Sequence, residues 1–128
     1  MIGIGFSGAR LDHGLAVLNG LVQHPDRRCL LLSGQDVVFL APREMALTLP
    51  KGSRLSLFPM GAVEGTSEGL RWPLEGLHFT PGGMIGTSNQ VVGPVRLRFS
   101  ADLMLVILPR SAMAAALDAF GLPGVRGR

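Results

Sequence analysis

The chain has 128 residues, 47% of them hydrophobic and 16% charged, which is enough to bury one sizeable core and hardly two. With 18 glycines, 9 prolines and only 5% aromatics it is neither collagenous nor disordered, and its core must be built from Leu, Val, Ala and Met. Twelve basic against nine acidic residues leave a net charge of +3 with the arginines scattered, so no nucleic-acid patch is expected, and despite a mean hydropathy of +0.36 the apolar run at residues 103–108 is far short of the roughly 20 residues that span a membrane.

Met1 is followed directly by Ile-Gly-Ile-Gly, with no basic flank, apolar core or small-residue cleavage site. The lone Cys29 has no partner for a disulfide or a zinc cluster and reads as a small buried hydrophobe. Both features point to the cytoplasm.

Residues 2–6 form a short apolar run broken by glycines, and Ser7-Gly8-Ala9 follow as a turn before a periodic segment at residues 12–22. This is a strand, a tight loop and a helix, whose buried face is expected to carry Leu11, Leu15, Leu18 and Val22. His24-Pro25 ends the helix, because proline pushes the preceding residue out of helical angles. Residues 28–33 and 37–41 read as two strands joined by Gly34-Gln35-Asp36. From Pro50 onward the pattern is all-β: residues 54–59 and 95–99 alternate apolar with polar, and residues 103–108, apolar throughout, form a central strand. Closely spaced glycines and prolines favour an antiparallel β-sandwich over a parallel sheet, and residues 111–120, with a serine cap and Gly121 beyond, close the chain with a short helix. The apolar surface of residues 103–108 and their neighbours exceeds what a sandwich of this size covers internally, which predicts a symmetric homodimer.

Three stretches carry side chains that suit chemistry. The first, Gly5-Phe6-Ser7-Gly8-Ala9-Arg10-Leu11-Asp12-His13, lies between the first strand and the helix. Backbone N–H groups of such a turn can approach an anion, Arg10 can grip phosphate oxygens, and Asp12 can hold a magnesium ion or accept a proton with His13 orienting it. An ordinary capped helix start, with Arg10 solvated, explains the same residues. The second stretch, residues 65–74, holds Trp72, the only tryptophan, which either offers a flat face to an aromatic or cationic ligand or plugs the core. The third is Gly86-Thr87-Ser88-Asn89, three consecutive donors and acceptors after a flexible Pro81-Gly82-Gly83, which turn chemistry alone also explains. His24 and His78 have no carboxylate or cysteine at a metal-site spacing.

Taken in order, these stretches resemble the later part of a thiamine pyrophosphokinase. Gly5, Gly8, Arg10, Asp12 and His13 match that family's Gly-x-x-Gly-Gly-Arg-x-Asp-His signature, with Ala9 replacing the second glycine of the pair. Gly52-Ser53-Arg54-Leu55-Ser56-Leu57-Phe58-Pro59 is similar to the strand that opens its thiamine-binding domain. Residues 66–74 resemble its Thr-x-x-Gly-Leu-x-Trp-x-Leu segment, and Thr87-Ser88-Asn89 its Ser-Asn motif. Each motif is weak alone, but four in the right order make the match specific.

The resemblance implies transfer of pyrophosphate from Mg-ATP to thiamine, giving thiamine diphosphate and AMP, with ATP as co-substrate and Mg2+ as cofactor. It implies an N-terminal α/β domain, a C-terminal β-sandwich and active sites shared across a homodimer. On this basis Arg10 and Asp12 are the catalytic candidates, Asp12 the metal candidate, and Ser7, Gly8 and His13 the phosphate loop. Trp72, Thr87, Ser88 and Asn89 are the thiamine-binding candidates. Residues 1–48 would be a remnant of the α/β domain and residues 49–128 the thiamine-binding sandwich. The family's acidic, metal-binding run stands upstream of the glycine loop, so the chain reads as a fragment, inactive alone. The alternative is a non-catalytic module that holds thiamine or its phosphates.

Overall fold

A computed structural model of the chain describes residues 2–4, 11–25 and 29–119. The glycine loop at residues 5–10 and the end of the expected C-terminal helix at Phe120 lie outside the described residues. Strand β1 (Ile2–Ile4) leads to helix α1 (Leu11–Gln23) and then to β2 (Leu30–Leu32), which pairs parallel to β1. A parallel pair needs a crossover, and α1 supplies it. Among the described residues the remaining strands pair antiparallel: β3 (Asp36–Leu40), β4 (Glu44–Leu47), β5 (Arg54–Pro59), β6 (Val63–Leu70), β7 (His78–Phe79), β8 (Gly86–Phe99) and β9 (Met104–Pro109), with one isolated parallel bridge between Phe79 and Met84. The chain continues through a 3₁₀ turn (Arg110–Ala112) into α2 (Met113–Ala119), beside β4.

The strand order is β1-β2-β3-β9-β5-β8-β6-β7, with β4 also on β8. Strand β8 turns this series back on itself. Its first half pairs mainly with β5 and its second half with β4 and β6, β6 reaching back to Val91 through Leu70. Two layers therefore face each other across one core, in which Leu55, Leu57, Val106 and Leu108 of one layer meet Leu47, Val95, Leu97 and Phe99 of the other. This is the expected mainly antiparallel β-sandwich. The pairing of β3 with β9 and of β4 with β8 ties residues on both sides of position 48 into the same network.

Residues 103–108 are apolar throughout because β9 is covered on both faces. Met104, Val106 and Leu108 enter the sandwich core, while Leu105 and Ile107 face a second cluster with Leu18, Leu21 and Val22 of α1. The apolar surplus that suggested a dimer is thus met within the chain, by α1. The helix face also differs from expectation. Val17, Leu18, Leu21 and Val22 pack on the sheet, whereas Leu15 is 55% exposed.

Two stretches that carry no strand signal in the sequence are strands. Residues 63–70 lack strand-like alternation, yet they form β6, held by β8 on one side and β7 on the other. Residues 86–89 open β8. The second half of β8 contains Pro94, which has no N–H to donate; the ladder tolerates it because the register with β6 shifts between Glu68 and Leu70. Gly69 sits at that irregularity with φ of +83°, and a Cβ there would lie 2.1 Å from the Pro94 carbonyl oxygen. Gly76 has a similar φ of +82° but nothing within 4 Å. Gly76→Ala should therefore destabilise by about 1–2 kcal/mol from backbone conformation alone. Gly69→Ala should lose roughly 2 kcal/mol more through overlap, a difference that urea unfolding of the two variants measures.

Candidate functional site

The tryptophan segment and the Thr-Ser-Asn segment, seventeen residues apart at Trp72 and Asn89, meet at the end of the sandwich where β6 leaves β8. The Arg71 N–H donates to the Gln90 carbonyl at 2.9 Å, so the chain stays attached to β8 for one residue beyond the last strand pair and then turns at Trp72-Pro73. Leu74 and Phe79 return into the core. Between them and β8 lies a pocket of about 210 Å³ lined by Trp72, Leu77, Met84, Thr87 and Asn89 among others. The indole is 53% exposed, which places it on the rim and excludes the core-plug reading.

Three of the four thiamine candidates, Trp72, Thr87 and Asn89, thus line one pocket; Ser88 is their neighbour but not part of the lining. Ser88 has φ of +62°, rare for a residue with a side chain, and its N–H donates to Ser56 Oγ at 2.9 Å. The Asn89 side chain is almost fully enclosed, and its amide is engaged by the backbone of Trp72. Sequence reasoning missed the apolar half of the pocket: Leu74, Leu77, Phe79, Met84 and Ile85. Met84-Ile85, an apolar pair immediately after Pro81-Gly82-Gly83, is the signal that would have shown it. Both side chains are exposed at the pocket mouth.

Electrostatics shape the rim. The Arg71 guanidinium sits 4.9 Å from the indole centroid and also donates to Gln90 Oε1 at 3.2 Å. It brings a positive charge to the site and stiffens the ring it covers. On the other side of the turn, Glu75 accepts from the Ser67 N–H at 2.9 Å, and Ser67 Oγ accepts from the Leu74 N–H at 3.0 Å. The bond from the Ser67 backbone, followed by that from its own N–H, holds the Glu75 carboxyl below the usual carboxylate range. A larger, open depression of about 450 Å³ over β4, β6 and β8 is lined by opposed charges such as Glu44 and Arg98, which pair at 3.2 Å. His78, isolated in sequence, pairs through Nδ1 with Glu64 across β6 and β7.

Ser7, Gly8 and Arg10 lie outside the described residues, as does the side chain of His13, while Asp12 is exposed in the first turn of α1. In the strand order, five inter-strand steps lie between β1 and β8. Among the described residues no group of three or more His, Cys, Asp or Glu could hold a metal ion. A single carboxylate such as Asp12 can hold magnesium only together with substrate phosphates and water.

A β-sandwich whose end carries an apolar pocket with a half-exposed indole and a few polar groups is a small-molecule-binding domain. Residues 41–104 match the family model of the thiamin pyrophosphokinase, vitamin B1 binding domain. Over 116 residues the chain is 33% identical to thiamine pyrophosphokinase 1 of Oryza sativa subsp. japonica, covering 84% of this chain and 44% of that one. Thiamin pyrophosphokinase from Candida albicans superposes with a TM-score of 0.74 at 16% identity, over 84% of this chain and 43% of that one. The enzyme from Geobacillus thermodenitrificans gives 0.73 at 23% identity, over 87% and 55%. The chain belongs to the thiamine pyrophosphokinase family, and it spans less than half the length of the curated relatives it matches.

The Glu75 brace yields a pH test. A carboxyl held low in the folded state stabilises the protein above its unfolded value and loses that contribution as pH falls through the lower, folded one. Thermal melts should therefore show Glu75→Gln less stable than the parent near neutral pH. The gap should close as pH drops below the ordinary carboxylate range.

Proposed function

We propose that this chain is the thiamine-binding part of a thiamine pyrophosphokinase, and that the pocket between Trp72, Thr87 and Asn89 receives thiamine. The observation that carries this reading is the convergence of three resemblance-derived positions on one pocket half lined by apolar side chains. A pocket of about 210 Å³ is smaller than a drug-sized site. It suits one of the two rings of thiamine against the indole, with Thr87 to fix its orientation.

In the parent reaction, pyrophosphate passes from Mg-ATP to the hydroxyl of thiamine, giving thiamine diphosphate and AMP. Arg10 would neutralise phosphate charge, Ser7, Gly8 and His13 would shape the loop around it, and Asp12 would serve the metal or the proton. Phosphoryl-type transfer asks for positioning and charge neutralisation rather than covalent help. The family resemblance implies active sites shared between two copies, so a homodimer is part of the proposal. So is a cytoplasmic location, in keeping with an unpaired Cys29 and with the absence, among the described residues, of any helix long and apolar enough to cross a membrane.

Titrating thiamine while following the single indole tests the reading, with no tyrosine to interfere. A saturable change in Trp72 emission is expected, and Trp72→Ala should weaken binding by about 1–2 kcal/mol in calorimetry. An unchanged spectrum at millimolar thiamine, with the dimer present, would remove Trp72 from the site. The isolated chain with Mg-ATP and thiamine is expected to form no thiamine diphosphate, since no acidic cluster for the metal stands among its described residues. Product assay by chromatography checks this.

A further inference from the structure

We propose that Ser56 and Asn89 are positioning residues of this site, and that Asn89 acts through the backbone of Trp72. Three observations meet here. Between Leu55↔Asn89 and Leu57↔Gly86 the β5–β8 register shifts, so Ser56 alone stands opposite both Thr87 and Ser88. That is a β-bulge, and bulges re-aim side chains. Its extra residue, Ser88, takes the left-handed conformation with φ of +62°, and its N–H is satisfied by the hydroxyl of Ser56, a side chain only 5% exposed.

The bulge decides which side chains face outward. With one residue added, Thr87 and Ser88 are both exposed, while Asn89 is turned inward to 6% exposure. Once inside, Asn89 is fully occupied as an acceptor. Its Oδ1 takes the Trp72 N–H at 3.2 Å and the Gln90 N–H at 2.8 Å, and its Nδ2 donates to the Trp72 carbonyl at 2.8 Å. An amide oxygen accepts two hydrogen bonds, so nothing is left on Oδ1 for a ligand donor, and a ligand can meet this side chain only through the second Nδ2–H.

Both backbone polar groups of Trp72 therefore end on one buried side chain. A half-exposed indole is held only in part by contacts on its ring, such as the Arg71 guanidinium, so its backbone has a large share in setting its place. Asn89 fixes that backbone, and Ser56 fixes the bulge that presents Asn89. The proposal relies on the thiamine reading only for the identity of the ligand, because the brace can be read without one.

The experiment compares the 128-residue chain with Ser56→Ala, Ser56→Thr and Asn89→Asp. The near-ultraviolet circular dichroism and emission anisotropy of Trp72 are recorded without ligand, and then with thiamine. Far-ultraviolet spectra verify the fold. Ser56→Ala and Asn89→Asp should flatten the indole band and lower its anisotropy, and Ser56→Thr, which keeps the hydroxyl, should restore both. Thiamine affinity should fall roughly tenfold in the first two variants, the scale expected when a binding group is misplaced or a buried donor is left unpaired. If the indole signals change but neither parent nor variants respond to thiamine, the brace stands and the ligand assignment falls. If they are unchanged in folded Ser56→Ala and Asn89→Asp, the proposal is overturned, whether or not thiamine binds. Amide hydrogen exchange on the unaltered chain adds a test that needs no variant to fold: the Trp72 and Ser88 N–H groups must be protected, and rapid exchange of both overturns the brace.

Discussion

The structure depends on the fourteen residues of β8 serving two layers at once. A strand that long cannot stay regular and also pair with β5 at one end and with β4 and β6 at the other, because the two sets of partners belong to opposing layers. It is interrupted twice. At residues 87–88 an extra residue is accommodated against Ser56, and at residues 92–95 the ladder to β6 skips past Gly69 and Pro94. Each interruption is matched by a local chemical provision: a hydroxyl for the stranded Ser88 N–H in one case, and in the other a glycine where no Cβ fits and a proline that needs no acceptor.

The pocket is a by-product of the first interruption. Without it, strict alternation would place Asn89 and Thr87 on the same face, and Gly86 would not turn toward Leu57 and Phe79. With it, Thr87 reaches the rim while Asn89 is drawn beneath the Trp72 backbone. A strained backbone and a buried amide thus organise a site whose largest side chain is half in solvent. The rim adds Arg71 over the indole, so any ring that stacks there meets an aromatic surface whose electron density is already engaged by a cation.

Elements with their own apolar signature were legible in the sequence. Residues 54–59 alternate and form β5 as expected, and residues 103–108 are β9 within one residue at each end. Strand β6 was not legible, because Val63 and Leu70 are its only large apolar residues and the six between them are polar or glycine. Its conformation comes from partners far along the chain, such as Phe99 and Arg98, which no local pattern announces. Leu15 shows the converse: the helical period was right, but the buried arc lies one step around, centred on Leu18 and Leu21, because the neighbouring sheet decides which arc is covered.

The candidate site was marked in the sequence by another route. Trp72, Thr87 and Asn89 stood out through their likeness to family motifs, and a motif records which residues matter without recording what they do. Asn89 illustrates the gap. In the sequence it is a polar residue beside other polar residues, suited to a ligand; in the fold its oxygen is saturated by two backbone N–H groups. Ser56 carried no signal, since it falls at a position of β5 that alternation marks as outward, and only the bulge opposite makes its hydroxyl an interior acceptor. The distinction between a residue that touches the ligand and one that holds the toucher is a matter of hydrogen-bond capacity. That capacity is counted only when the partners from both strands are in view.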